Sequence, residues 1–301
     1  MKVTIDDIQR VAIIGSGTLG LRVGLQCAIS GFPTTIYDVH ESALEKARRT
    51  QDHIIKNLVD KQIITTAEAQ EVPSRIAWTT DPDQATQEAD FVNESVTEDA
   101  ALKKKVWSDI GPRCPDRAVL TTNTSYLLPS MFAEESGRPE RFCAFHFHDV
   151  FMANVVDIMP HPGTEEWITD FLYDLGVKLR QTPIVIKRES PGYVFNAMLM
   201  AMIGAAGALV TYDVASIQDV DRSWMGNFKM ETGPFGILDT IGLDTAWHVV
   251  KDRSDKKSQR FATLLQEYVS QGKLGVKTGE GFYSYPNPAF REAEFVQSLE
   301  R

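Results

Sequence analysis

Val11-Ala12-Ile13-Ile14-Gly15-Ser16-Gly17-Thr18-Leu19-Gly20 is the stretch that decides the fold. Four apolar residues stop at a glycine, and the GxGxxG pattern opens into helical spacing at Leu19, Val23, Leu25 and Ile29. A strand before and a helix after are the context in which this pattern binds a dinucleotide. Gly15 permits the tight turn, Gly17 lets the backbone approach a pyrophosphate, and Gly20 lets helix and strand pack closely. The helix N-terminus then offers free N–H groups and partial positive charge to the phosphates. Ser16, Thr18 and Leu19 complete the loop, so all of 15–20 is expected to meet the cofactor.

The next β-rich run, 34–37, stops at Asp38. A carboxylate at that strand end accepts hydrogen bonds from ribose hydroxyls and repels a 2′-phosphate, which favours NAD over NADP. No arginine adjoins it; His40 and Glu41 follow. A plainer reading makes Asp38 a cap for the helix beginning near 41.

Strand-like and helix-like patterns alternate outward from there. A long charged helix is expected at 41–60 and a shorter one at 65–71, with further strands at 76–80, 91–96, 118–122 and 143–147. Helical segments fall near 82–88, 99–110 and 128–134. Strand-like runs at 155–159 and 177–186 flank a helix at 164–175. Such alternation predicts an α/β fold, a Rossmann-type doubly wound, mainly parallel sheet. The character changes at Arg188-Glu189-Ser190-Pro191-Gly192, a charged joint marked by proline and glycine. Beyond it helices dominate, at 193–212, 216–228, about 233–251 and 257–271, with one short β-rich run at 281–285. The reading is a nucleotide-binding domain over 1–187 and a smaller all-α C-terminal domain over 188–301.

Length and composition agree. The chain has 301 residues, roughly two domains. Its 43% hydrophobic and 24% charged content is ordinary for a globular protein and excludes collagen, disordered and disulfide-scaffold classes. The formal charge is -10, with 27 acids against 19 bases in 1–187 and 14 against 12 in 188–301. A nucleic-acid partner needs a basic face and is not expected. Cys27, Cys114 and Cys143 are widely spaced and form no CxxC, so neither a metal site nor a redox motif is expected. Reduced thiols and the lack of a signal-type apolar leader point to the cytoplasm, or to an organelle matrix for a trimmed chain. The most apolar stretch, 193–212, carries no charge but contains Asn196, Gly204 and Gly207; a buried helix is expected there, not a membrane span.

The motifs taken together resemble the L-3-hydroxyacyl-CoA dehydrogenase family, including 3-hydroxybutyryl-CoA dehydrogenases. The matching residues run nearly the whole chain. They include the glycine loop with Asp38, Asp90-Phe91-Val92-Asn93-Glu94-Ser95-Val96 with Glu98 and Lys103, and Asn123-Thr124-Ser125. His146-Phe147, Pro191-Gly192-Tyr193-Val194-Phe195-Asn196, Gly233-Pro234-Phe235, Asp239 with Gly242-Leu243-Asp244, and Lys277-Thr278-Gly279-Glu280-Gly281-Phe282-Tyr283 continue the series. The resemblance implies His146 as catalytic base, with Asp157 where the family has an orienting glutamate. It implies Ser125 and Asn196 as polar groups holding substrate beside the nicotinamide. It places Glu98, Lys103, Ser125, Asp149 and Lys277 toward the cofactor, and it implies a homodimer joined through the C-terminal domains.

The residues themselves suit that chemistry. Oxidising a secondary alcohol needs a hydride acceptor, a base for the hydroxyl proton and dipoles to hold the oxygen. Histidine titrates near neutrality, and a carboxylate on its other nitrogen fixes the tautomer. His148 lies two residues along the same strand with the same side-chain orientation, and so competes with His146 for the role. The chain departs from the family around the substrate. The family usually reads His-Phe-Phe-Asn-Pro, whereas this chain has His146-Phe147-His148-Asp149-Val150, and the loop before Asp157 is one residue shorter. Asp149 would add negative charge near the nicotinamide.

Three functions compete on this reading. The first is an NAD-dependent L-3-hydroxyacyl-CoA dehydrogenase, with Lys46, Arg48, Arg49, Lys56 and Lys61 of the 41–74 insert placed to meet CoA phosphates. The second keeps fold and chemistry for a non-CoA substrate: a free 3-hydroxy acid, sugar acid, carnitine-like compound or diketo ester. The third is a non-catalytic NAD-binding protein, against which the set of His146, Ser125 and Asn196 stands.

Overall fold

The computed structural model describes residues 2–297. The chain divides into two compact units, one ending at Val194 and one beginning at Phe195.

The first unit is built on strands β1 (Val11–Ile14), β2 (Thr34–Tyr37), β3 (Ile76–Thr79), β4 (Phe91–Glu94), β5 (Val119–Thr122), β6 (Phe142–Phe147), β7 (Val155–Pro160) and β8 (Thr182–Val185). Between them run helices α1 (Thr18–Ile29), α2 (Glu41–Asp60), α3 (Thr66–Glu71), α4 (Pro82–Thr86), α5 (Ala100–Ile110) and α6 (Glu166–Lys178). They form one sheet in the order β3-β2-β1-β4-β5-β6-β7-β8. Its neighbours pair in parallel, except β6 and β7, which are antiparallel. The expected doubly wound, mainly parallel sheet is therefore present. Strand order reverses beside β1, so a crevice opens at the carboxyl ends of β1 and β4, where such sheets bind ligands.

Alternation along each strand sorts side chains to the two faces. Val11 and Ile13 join the core cluster that includes Leu21, Leu25 and Leu172, whereas Ala12 and Ile14 join the one with Trp107 and Phe132. The same rule places the site. In β6, Cys143, Phe145 and Phe147 enter the first core, as Val156 and Ile158 do from β7. His146 and Asp157 therefore share the opposite face, where Ala144, Met159 and Tyr193 cluster.

Two expectations for this unit change. The 177–186 run is split: Val177 and Lys178 close α6, Arg180 turns through a left-handed φ of 58°, and only Thr182–Val185 is strand. The helical stripe Ile168, Leu172, Leu175 and Leu179 is fully buried, and that packing overrides the local β propensity. Segment 128–134 holds only a 3-10 turn, Pro129–Met131, instead of a helix.

The second unit is helical: α7 (Phe195–Thr211), α8 (Ile217–Phe228), α9 (Pro234–Ile241), α10 (Leu243–Val250) and α11 (Lys256–Ser270). Its core gathers Ile203, Phe235, Leu238, Leu243, Phe261, Leu265 and Phe282. The single helix expected near 233–251 is two, broken at Gly242 with φ 101°. The β-rich run at 281–285 makes no strand, only isolated bridges from Glu280 to Gly275 and Ser284. The 193–212 helix is not buried all round. Ile203, Ala206 and Gly207 are inside, while Met198 and Leu209 are exposed. Among the described residues no helix is long and apolar enough to cross a membrane.

Candidate active site

The glycine loop has the shape the sequence implied. Gly15 adopts φ 105°, and a Cβ there would lie 2.9 Å from the Ser95 carbonyl oxygen. A Cβ on Gly20 would lie 2.0 Å from the Gly15 carbonyl oxygen, so only glycine permits the close helix approach. A Cβ on Gly17 would meet nothing within 4 Å. Gly17 and Thr18 are exposed, Leu19 is half-buried, and no side chain caps the N-terminus of α1. Open space in front of uncapped N–H groups fits a pyrophosphate. Ser16 is buried and donates from its N–H and Oγ to Asp38 Oδ2 at 2.9 and 2.8 Å. Asp38 Oδ1 accepts from the His40 N–H at 3.1 Å. Asp38 thus ties the end of β2 to the loop and does not cap α2.

Short polar side chains knit the neighbouring strand ends. Asn93 Nδ2 donates to Thr121 Oγ1 at 3.0 Å, and Ser95 Oγ donates to Asn93 Oδ1. Asn123 Nδ2 donates to Ser95 Oγ, and Asn123 Oδ1 accepts from the Phe147 N–H at 3.0 Å. That last bond fixes the end of β6, one residue after His146.

His146 is almost fully buried and lies directly opposite Asp157 in the β6–β7 register. Its Nδ1 is 3.2 Å from Asp157 Oδ2, and its Nε2 is 3.2 Å from Ser125 Oγ. An ionised carboxylate only accepts, so Nδ1 carries the proton and Nε2 offers a lone pair toward Ser125. Burial pushes the imidazole below its ordinary pKa, against the opposing pull of the Asp157 hydrogen bond. Burial alone would raise the Asp157 carboxyl, but bonds from His146 and His148 hold it below its ordinary value. Tyr193 stacks on His146 with ring centroids 4.7 Å apart. Among the described residues its buried hydroxyl has no hydrogen-bond partner.

Glu98 holds the Ser125 loop. Its Oε1 accepts from Thr124 Oγ1 at 2.6 Å and from the N–H groups of Ser125 and Tyr126 at 2.9 Å. Burial works to raise its pKa, but the Thr124 bond, the Lys103 charge and the backbone bonds win and lower it. Lys103 is wholly buried. Its Nζ donates to Glu94 Oε1 at 2.6 Å and lies 3.7 Å from Glu98 Oε2. Glu94 also accepts from Thr122 Oγ1 at 2.7 Å.

Asp149 does not stand as an unopposed charge: it pairs with Arg22 of α1, and its Oδ1 accepts from the Met152 N–H. Asn196 is half-buried in the first turn of α7. Lys277 pairs with Asp244 at 2.6 Å. Asn196 and Lys277 belong to the second unit, whereas His146, Asp157, Ser125, Glu98, Lys103 and Asp149 converge within the first. Arg22 had no sequence signal as a site residue, and Glu94 and Tyr193 fell inside matching motifs without being assigned a role. The partner of Arg22 lies 127 positions away, Glu94 takes its partners from α5 and β5, and the placement of Tyr193 depends on a turn with φ 55°.

A glycine-loop crevice beside a carboxylate-held histidine defines a nicotinamide-dependent dehydrogenase of the Rossmann class. The comparisons narrow it. A sequence model described as "3-hydroxyacyl-CoA dehydrogenase, NAD binding domain" matches residues 10–190, and its "C-terminal domain" counterpart matches 192–285. The chain belongs to the 3-hydroxyacyl-CoA dehydrogenase family and is an NAD-dependent oxidoreductase. It is 31% identical to a probable 3-hydroxyacyl-CoA dehydrogenase of Caenorhabditis elegans, over 94% of this chain and 98% of that one. A probable 3-hydroxybutyryl-CoA dehydrogenase of Bacillus subtilis is 29% identical, covering 93% and 98%. Among solved structures, a diketoreductase described for dual catalysis of dicarbonyl compounds superposes with TM-score 0.88 at 32% identity, over 92% of this chain and 99% of that one. The (S)-3-hydroxybutyryl-CoA dehydrogenase of Ralstonia eutropha gives 0.82 at 28%, over 93% and 100%.

Proposed function

We propose that the chain interconverts an L-3-hydroxyacyl-CoA and the matching 3-oxoacyl-CoA. The observation that carries this is the orientation of His146, whose Nδ1 is held by Asp157 while Nε2 faces Ser125. In oxidation His146 Nε2 takes the hydroxyl proton, and Asp157 stabilises the imidazolium that results. In reduction the same nitrogen returns the proton to the forming alkoxide. Ser125 Oγ holds the reacting oxygen. NAD, held by residues 15–20 and Asp38, accepts or supplies the hydride. Glu98, Lys103 and Asp149 bear on the nicotinamide end, Lys103 through Glu98. NADH oxidation with acetoacetyl-CoA tests the reading, and absence of thioester turnover overturns it.

A second substrate reading has its own support. The diketoreductase superposes well, and His148-Asp149-Val150 replaces the family's usual residues in this part of the site. Turnover of free 3-oxo acids or diketo esters, with none of acetoacetyl-CoA, selects it.

Exposed Met198, Leu209, Val214, Phe228 and Met230 on and around α7 and α8 support a homodimer through the C-terminal region. The three buried free thiols suit a reducing compartment such as the cytoplasm.

A further inference from the structure

Asp157 serves two imidazoles with one oxygen. Its Oδ2 lies 3.2 Å from His146 Nδ1 and 2.9 Å from His148 Nε2. The shorter contact is to the histidine not assigned to proton transfer. The arrangement follows from the strands. His146 and His148 lie two apart on β6 and its continuation, hence on one face, and Asp157 is paired directly opposite His146. An aspartate has one χ fewer than the family's glutamate, and a second N–H donor fixes the rotation that remains. The family's usual phenylalanine at position 148 offers no such donor.

We propose that His148 is a positioning residue for proton transfer: its Nε2–H orients the Asp157 carboxylate, draws on its charge, and so sets the basicity of His146. The proposal rests on the reading of His146 as the base. A carboxylate oxygen shared between two donors gives less to each than one committed to a single donor. A cationic His148, its ring centroid 4.7 Å from that of His146, would also oppose a second positive charge. The remaining titratable groups facing the pair are Glu98 from the loop before α5 and Tyr193, which stacks on His146; Ser125 supplies a neutral hydroxyl. None of these donates to Asp157 Oδ2 among the described contacts, so the shared oxygen is the lever.

The test is the pH profile of kcat/KM in the oxidation direction for the wild type, His148→Phe and His148→Gln. Removing the donor returns the carboxylate's charge to His146, so His148→Phe moves the acid limb up by about half a unit to one unit. His148→Gln keeps an N–H at the same reach and restores the wild-type limb. An unmoved limb in His148→Phe, or a limb in His148→Gln that follows His148→Phe, overturns the proposal. Histidine NMR of the wild type gives a readout independent of any variant. Neutral His148 should be the Nε2–H tautomer, and an Nδ1–H tautomer overturns the proposal even where His148→Phe fails to fold. His146→Ala separates the two claims. Turnover surviving in it removes the base on which the proposal stands, whereas a dead His146→Ala beside an unmoved His148→Phe overturns only the role of His148.

Discussion

An imidazole serves as a base only when the proton on its second nitrogen stays put, and in this chain Asp157 holds it there. Asp157→Asn keeps the shape but presents an amide that stabilises the wrong tautomer. A drop in kcat of about 10³–10⁴-fold is expected, with NADH binding nearly unchanged by fluorescence titration. The lowered pKa of His146 has a sign in pH. The ring stays neutral below its ordinary value of about 6.5, so the acid limb of oxidation falls under that pH. The same group contributes stability above about pH 6.5 and loses it as pH falls through the folded value, because the unfolded chain takes the proton first. A limb above 6.5 in the wild-type rate profile contradicts this. At this scale the sequence pointed to residues that the structure brings into contact: His146 with Ser125 and Asp157, and Asp38 with the glycine loop. The Arg22–Asp149 pair was not legible, since nothing in a local window joins positions 127 apart. Nor was the pairing that gives Lys103 to Glu94, which depends on α5 lying against the end of β4.

Elements divide by how much of their packing is local. Helix α2 matches its expected bounds because its apolar stripe and charged face repeat over 20 residues. The 177–186 run and the 233–251 helix did not match, since long-range burial ended one and Gly242 broke the other. The glycine loop allows a paired test. Gly20→Ala drives a methyl into the Gly15 carbonyl, so both thermal stability and NADH binding should fall. Gly17→Ala meets open space, so the fold should survive while NADH affinity drops. Equal thermal losses in the two variants would break the assignment of distinct roles. The buried Glu94–Lys103 pair offers another. Lys103→Met leaves a carboxylate unpaired in the interior, at a cost of about 3–5 kcal/mol by denaturant unfolding.

On the whole-molecule scale, the order of an α/β domain before a helical one and a mainly parallel sheet were readable from periodicity, whereas the strand order came only with the structure. The exposed apolar side of α7 was not, because an apolar run reads alike whether it faces a core or a partner chain. Sedimentation should find a dimer, and Met198→Glu with Phe228→Glu should shift it toward monomer. The formal charge of -10 argues against nucleic acid yet says little about the cofactor, since the uncapped N-terminus of α1 offers local N–H groups to an anion. The Arg22–Asp149 pair joins the helix that opens at the glycine loop to the segment that follows His148. Loop grafting is thereby constrained. A relative's 148–154 segment transplanted here would strand Arg22 without its anion, so altering substrate choice by exchange of that segment requires redesigning residue 22 with it.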